Sequence, residues 1–293
     1  MSDKIKEKVE ERSKFWTKLN KEVFNLIREK KIAYIRELQL SLESKYGSYD
    51  VGKSIEFLSR RAPLINLGVR IEKIRNDNHK FLFRKKEKNE LIEIVFQEKK
   101  RILEKFEPIT LKLGHWAEKA FYPRVLKNEG FIIEQISARN YNLIKIKGDI
   151  DIILTPIPLT KSKIFIEVKN RLSVYHTHEL YKFFNYLREF NLNIIPVVIA
   201  RKIYEKPKEL LLEYGGQFIE MGKLIIRQTP FYAELSKKYN ELIANITRVI
   251  PERVIQPDII KRIKVLKKLD EGINFSKLDY FEDLPKTEDK VEI

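Results

Sequence analysis

Apolar positions recur with a helical period from residue 4 to residue 30, where Val9, Phe15, Trp16, Leu19, Val23, Phe24 and Ile27 form one stripe between charged positions. The pattern predicts a second helix over 33–45 and a third over 51–61, with Tyr46-Gly47-Ser48-Tyr49 as the turn between them and Pro63 as the stop. Two strand-like runs follow, 69–74 and 80–84, joined by Arg75-Asn76-Asp77-Asn78-His79, a hairpin turn by composition. Residues 87–106 read as a connecting helix that Pro108 closes.

The pattern changes from residue 109. A helix over 113–128 stops at Gly130, and 131–136 is a strand. Strands over 148–154 and 164–169 are joined by a loop whose Pro156 and Pro158 preclude regular pairing. A helix over 178–190 precedes the continuous apolar strand 194–200, which predicts a sheet covered on both faces. A helix at 206–214 leads through Gly215-Gly216 to a last strand at 217–221, and 230–270 reads as two helices separated near Pro251 and Pro257. The expected divisions are a helical unit with a β-hairpin at 1–86, a connecting helix at 87–108, an α/β unit of αβββαβ order with a mixed sheet at 109–228, and C-terminal helices with an acidic tail at 229–293. The tail from residue 279 carries six acids against two lysines and is expected to be an inert solvated segment rather than a shield for a basic groove.

Two of these strands carry charge in their middles. Gly148-Asp149-Ile150-Asp151-Ile152-Ile153-Leu154 and Ile164-Phe165-Ile166-Glu167-Val168-Lys169 are otherwise built of Ile, Leu, Val and Phe. A buried carboxylate or ammonium is costly unless paired or bound to a metal. Strand alternation puts Glu167 and Lys169 on one face, and Asp149 and Asp151 on one face of their own strand. Adjacent strands of this kind bring acid, acid and lysine to one point, the arrangement for a divalent metal beside a cation. The competing reading is a buried Asp–Lys–Glu ion-pair network, which contributes little to stability.

The net charge of +16 is uneven, at +9 over 1–100, +5 over 101–200 and +2 over 201–293. It points first to a polyanionic partner, with solubility as the plainer alternative. Residues 45–86 hold eleven Lys/Arg against four acids, so the third helix and the hairpin form the basic region. Helices followed by a basic hairpin make the pattern of a winged helix-turn-helix DNA-binding unit. Its expected DNA contacts are Lys53, Ser54, Arg60 and Arg61 on the helix, and Arg70, Lys73, Arg75 and Lys80 on the hairpin. A protein-contact role for the same unit stays open. The absence of cysteine excludes disulfides, thiol nucleophiles and cysteine zinc sites, and four scattered histidines argue against a histidine zinc site. No apolar run approaches the ~20 residues that span a bilayer, and the charged N-terminus is no signal peptide, so a cytoplasmic protein is expected. The enrichment in Lys, Glu and Ile is also seen in proteins from hot environments.

Three pieces within 109–228 resemble the PD-(D/E)XK, or restriction-endonuclease-like, nuclease superfamily, and most of all archaeal Holliday-junction resolvases. They are Gly114-His115-Trp116-Ala117-Glu118, Gly148-Asp149-Ile150-Asp151 and Glu167-Val168-Lys169. The family's proline before its acidic residue is replaced here by Ile150. The resemblance implies a metal-dependent DNA endonuclease. Asp151, Glu167 and the Val168 carbonyl would bind Mg²⁺ (or Mn²⁺), with Glu118 binding a second ion directly or through water. Lys169 would orient the attacking water or stabilise developing charge, and Asn170 and Arg171 would touch phosphate. Asp151 is preferred to Asp149, which follows Gly148 near the strand's entry. His176 and His178 are expected to be a helix-start cluster rather than substrate contacts, and Tyr181, Phe183, Phe184 and Tyr186 to be core or a dimer face. Relatives often pair to cut both strands, so a homodimer is expected. Two other readings stand beside this one: a catalytically inactive DNA-binding regulator, and a nuclease subunit of a transposition, restriction or defence complex that cuts only with protein partners.

Overall fold

The structure is a computed structural model, and it describes residues 3–74, 77–141, 144–155, 162–244, 249–251, 257–269 and 272–277. The amphipathic stripe at the start becomes a single long helix, α1 (Asp3–Glu29), with Leu19, Val23 and Ile27 fully buried. A short strand β1 (Ile32–Tyr34) follows, then α2 (Ile35–Tyr46) and α3 (Ser48–Arg60). Gly47 alone separates α2 from α3, at a φ of 78° that glycine adopts without strain. Strands β2 (Leu67–Ile74) and β3 (Asp77–Arg84) form a hairpin, and β1 pairs antiparallel with β3 to complete a three-stranded sheet. The helices and this sheet enclose a core of their own, centred on Leu19, Leu38, Val51, Ile55 and Leu82. The second helix was expected from residue 33, but Ile32, Ala33 and Tyr34 are drawn into the ladder with Phe83, Leu82 and Phe81.

The helix expected to close at Pro108 does not close there. Helix α4 (Asn89–Trp116) runs through Pro108 without interruption. Proline removes one main-chain hydrogen bond and costs about 3 kcal/mol inside a helix. Burial on both sides offsets this: Ile102, Leu103 and Phe106 precede the proline, Leu113 follows it, and Phe106 stacks on Tyr239 at 4.1 Å between ring centres. Beyond Trp116 the helix widens into a π-helical turn, Ala117–Phe121, and continues as α5 (Tyr122–Asn128).

The second sheet is mixed. Strands β4 (Ile132–Tyr141), β5 (Ile144–Thr155) and β6 (Lys163–Lys169) are antiparallel neighbours. Helix α6 (Thr177–Leu187) then returns the chain to β7 (Asn193–Ala200), which lies parallel to β6. After α7 (Glu205–Glu213), β8 (Gln217–Glu220) extends the sheet in parallel with β7. Every residue of β7 after Asn193 is buried, as its unbroken apolar run predicts for a central strand. One face packs Ile152, Ile164, Ile166, Val168 and Val197 beneath the α4–α5 segment, and the other packs Ile153, Phe165 and Val198 beneath α6 and α7. The molecule is thus an α/β protein with helices on both faces of a mixed sheet.

The C-terminal region is more than two helices. Strand β9 (Leu224–Ile226) precedes α8 (Pro230–Tyr239), and β10 (Val249–Pro251) returns to pair with β9 in parallel. Helix α9 (Pro257–Val265) packs on the α4–α5 face, and β11 (Ile273–Asn274) adds to the edge of β7. A further core joins Ile32, Phe81, Ile92, Phe96 and Phe106 to Leu224, Ile226, Leu235 and Tyr239, so the N-terminal hairpin, α4 and the C-terminal elements share one interior. Two buried ion pairs cross these boundaries. Lys99 of α4 donates to both carboxylate oxygens of Glu37 (2.9 and 2.8 Å) and to the Ile32 carbonyl (2.6 Å). Arg201 makes a two-point pair with Glu43 of α2 and donates from Nε to the Leu172 carbonyl at 3.0 Å.

Candidate active site

The antiparallel ladder between β5 and β6 ends at Ile152 opposite Ile166. Two residues further along β6, the Val168 N–H is taken by a side chain: it donates to Asp151 Oδ2 at 2.7 Å. The alternation of β5 breaks at the same residue. Ile150 and Ile153 both enter the core beneath α6, whereas Ile152 and Leu154 enter the opposite one. Asp151 is therefore locked against β6 with 4% of its surface exposed, while Asp149 is exposed. Gly148 is needed just upstream because Tyr186 of α6 lies on its backbone, where an added Cβ would meet the ring at 2.4 Å.

Glu167 and Lys169, two residues apart on β6, form a close ion pair, and Lys169 Nζ lies 3.9 Å from Asp151 Oδ2. Burial pushes the Asp151 carboxyl well above the usual carboxylate range, and the neighbouring Glu167 charge pushes it further. Burial also raises Glu167, against the pull of Lys169. For Lys169 burial works downward, but Glu167 and Asp151 outweigh it and hold the ammonium above its ordinary value. Glu118 sits on the wide turn after α4, with its side chain 17% exposed, and its charge acts on all three groups. The sheet and the turn thus bring Asp151, Glu167, Lys169 and Glu118 into one electrostatic cluster. Among the described residues, no three acidic or histidine side chains gather into a ready-made metal cage.

Two neighbours carry no assigned role from the sequence. His115 Nδ1 lies 3.3 Å from Glu118 Oε2, a contact that its spacing of three residues on a helix announces. Tyr175 is fully buried and its hydroxyl finds no hydrogen-bond partner among the described residues, although Glu167, Glu179 and Asp151 are near enough to raise its ionisation further above the value that burial sets. No local pattern marks Tyr175, because its position depends on the chain turning back after β6. His176 caps the start of α6, with its N–H on Glu179 Oε2 at 3.0 Å, and its ring stands 5.5 Å from that of His178. Phe183 and Phe184 are core residues.

The residues expected at DNA separate into two groups. Lys53, Arg60, Arg61 and Lys73 are exposed and Lys80 is half-buried, while Arg75 lies outside the described residues. Ser54 instead faces inward, fully buried, and donates to Asn20 Oδ1 at 2.7 Å. Arg70 is spent on α4, with its guanidinium 3.4 Å from the centre of the Phe96 ring and 2.6 Å from Glu93. Asn170 is 4% exposed and acts as a bracket: its amide donates to the Leu113 and Ile225 carbonyls (3.3 and 2.8 Å), and its carbonyl accepts the Ile225 N–H at 3.0 Å. Its amide and carbonyl are spent on this bracket, not on a phosphate. Arg171 pairs with Glu179, and its buried Nε has no partner among the described residues.

No family model matches the chain, and no curated protein matches it. Three solved structures show slight likeness. One is a repair endonuclease from Pyrococcus abyssi, 15% identical, covering 52% of this chain and 65% of that one with a TM-score of 0.27. A complex of EndoMS with double-stranded DNA is 16% identical over 52% of this chain and 63% of that one, with a TM-score of 0.24. EndoMS in its apo form is 16% identical over 53% and 64%, also at 0.24. The chain spans a little under two thirds of each of these proteins. Likeness at this level carries no conclusion about fold or activity. Among the described residues, no helix is long and apolar enough to cross a membrane.

Proposed function

We propose that the chain is a metal-dependent phosphodiesterase acting on DNA, a PD-(D/E)XK-type endonuclease that its N-terminal helices and hairpin deliver to the substrate as a winged-helix unit. One observation carries the reading: Asp151 is buried and Glu167 half-buried, both are raised, and Lys169 pairs with Glu167 and lies 3.9 Å from Asp151, with Glu118 adding a further negative charge. Two or three carboxylates against one ammonium make a poor stabilising network and a good receptor for a divalent cation. The donors are all oxygens, which suits Mg²⁺ or Mn²⁺, and Mg²⁺ keeps several waters and so needs no complete protein cage.

Asp151, Glu167 and the Val168 carbonyl would hold the ion, with Glu118 beside them. When bound, such an ion polarises a phosphodiester and favours hydroxide at neutral pH. The chain's own contributions follow from the geometry. Asp151 fixes its own orientation by accepting the Val168 N–H, so the acid is pre-set before any substrate arrives. Lys169, flanked by two carboxylates, remains an ammonium at Nζ. It therefore serves as a fixed positive charge and hydrogen-bond donor for the attacking water or the developing phosphorane charge, not as a base. The exposed Lys53, Arg60, Arg61 and Lys73 would meet phosphates, which position the protein without reading sequence. The helix–strand–helix–helix–hairpin order of the first 84 residues supports that delivery role. Homodimer formation is proposed on the same footing, as the simplest way to cut two strands.

The deciding experiment incubates the protein with Mg²⁺, Mn²⁺ or EDTA against labelled duplex, branched, single-stranded and RNA substrates. Cleavage of DNA is expected only with metal. Lys169→Ala and Asp151→Asn are each expected to lower the rate by at least ~10²-fold, with DNA affinity in EDTA little changed. Cleavage at the wild-type rate by both variants would overturn the assignment. Tight, salt-sensitive binding with no cleavage under any condition would favour the regulator instead.

A further inference from the structure

The exposed stripe of α3 has a composition that the nuclease site does not explain. Tyr49, Lys53, Phe57 and Arg60 are the exposed positions of the helix, and Arg61 follows at its end, while Val51, Ser54, Ile55 and Leu58 on the other side are buried. Tyr49, Lys53, Phe57 and Arg61 are spaced by four residues, so they run down one face. Two of them are large rings left open to solvent, Tyr49 at 58% and Phe57 at 41% exposure. Each ring has a cation over it: Lys53 Nζ stands 5.5 Å from the centre of Tyr49, and the Arg61 guanidinium 4.5 Å from that of Phe57. Ring, cation, ring, cation is therefore the order along the helix.

A helix that reads base edges in a duplex groove presents long side chains with paired donors and acceptors, chiefly Arg, Asn and Gln. This stripe has no Asn or Gln, and half of it is aromatic. Stacked bases of a duplex offer no free ring face to Tyr or Phe, but the bases of an unpaired strand do. The two rings are eight positions apart, about 12 Å along the axis at 1.5 Å per residue. That interval leaves Lys53 to meet a phosphate between two stacked bases. Two acids oppose this: half-buried Asp50 stands beside the stripe in the first turn, and Glu56 lies 3.9 Å from Lys53 and also pairs with Arg60, holding both cations in place while repelling a polyanion.

We propose that the outer face of α3 binds an unpaired DNA strand, with bases on Tyr49 and Phe57 and phosphates on Lys53, Arg60 and Arg61. This rests on the nucleic-acid reading above and narrows its substrate to DNA carrying an unpaired segment.

The test is fluorescence anisotropy of the full chain in EDTA with a labelled oligothymidylate and a blunt duplex of equal length. The wild type is expected to bind the single strand at least tenfold tighter. Tyr49→Leu with Phe57→Leu, which keeps the bulk and removes the rings, is expected to cost the single strand about tenfold or more, from the ~1–3 kcal/mol of each base–aromatic stack, and to leave duplex binding within twofold. Tyr49→Trp is expected to keep the affinity and to show indole quenching on binding. Glu56→Gln is expected to tighten binding several-fold. Preference for duplex, or equal loss on both substrates in the double variant, would overturn the proposal. The absence of metal separates the two questions: a chain that cleaves but prefers duplex sinks this surface alone, and one that binds single strands but never cleaves sinks the nuclease alone.

Discussion

Asp151 shows what a site residue costs its own fold. Its carboxyl is raised, so the native state holds a proton that the unfolded chain has already released. Native protein then binds more protons than unfolded protein from the ordinary aspartate range up to the raised value, and stability falls as pH rises through that window. In EDTA, Asp151→Asn is expected to be more stable than wild type at neutral pH by about 1–2 kcal/mol, with the difference vanishing near pH 3. Denaturant melts at several pH values measure this, and a neutral-pH loss of stability in the variant would contradict it. Saturating Mg²⁺ is expected to stabilise the wild type and not the variant. Tyr175 makes a second case. A buried hydroxyl without a partner costs about 1–3 kcal/mol, so Tyr175→Phe is expected to melt no lower than wild type, and a lower melting point would mean that the hydroxyl has an acceptor in solution. At this scale the sequence was partly readable. Charges inside Ile-rich strands marked Asp151, Glu167 and Lys169, and alternation puts Glu167 and Lys169 on one face, but the break in the alternation of β5 that turns Asp151 toward them while Asp149 stays exposed was not readable. Tyr175, Asn170 and Ser54 were not readable, since their surroundings come from segments tens of residues away.

Among the elements, the long strongly patterned ones follow from the sequence and the short ones do not. The α1 stripe and the apolar run of β7 each carry enough residues for a period or its absence to be unmistakable. Strands β1, β9, β10 and β11 are two or three residues long and have no period at all; pairing with a partner makes them strands. Pro108 is the instructive failure, because a local rule predicts a stop and tertiary burial overrides it. The Asn170 bracket is the element-scale counterpart of the site. It fastens the end of β6, just past Lys169, to both α4 and β9. Asn170→Ala leaves buried main-chain groups unpaired and is expected to destabilise the fold by about 2–3 kcal/mol. Asn170→Asp should be no better, since a carboxylate cannot donate to the Leu113 and Ile225 carbonyls. Urea denaturation measures both, and a neutral effect of either would mean that the bracket is dispensable.

At the scale of the whole molecule, the parts that look separable in sequence share interiors. Glu43 and Arg201 are 158 positions apart, yet each is at most 4% exposed at the side chain and they form a two-point pair. Removing one partner strands a buried charge and is expected to cost about 3–5 kcal/mol, whereas replacing both by apolar residues of similar size is expected to restore most of it. A double-mutant cycle with Glu43→Leu and Arg201→Met, read by thermal or urea melts, tests this. Two additive losses would mean that the residues do not meet. Nothing along the chain points to this link, because a Glu and an Arg in different segments carry no sign that they face each other.

Helix α4 has a practical corollary. Its 28 residues, about 42 Å long, begin beside the basic hairpin and end one residue before the turn that carries Glu118. A cut at residue 86 or 108, where composition suggests a joint, would peel Phe96 or Phe106 from its partners and leave an oily scar on each half. Fragments made there are expected to precipitate, and limited proteolysis of the native chain should spare 89–116. Among the described residues neither of these two joints is a seam, so the parts on either side are best studied by substitution within the intact chain.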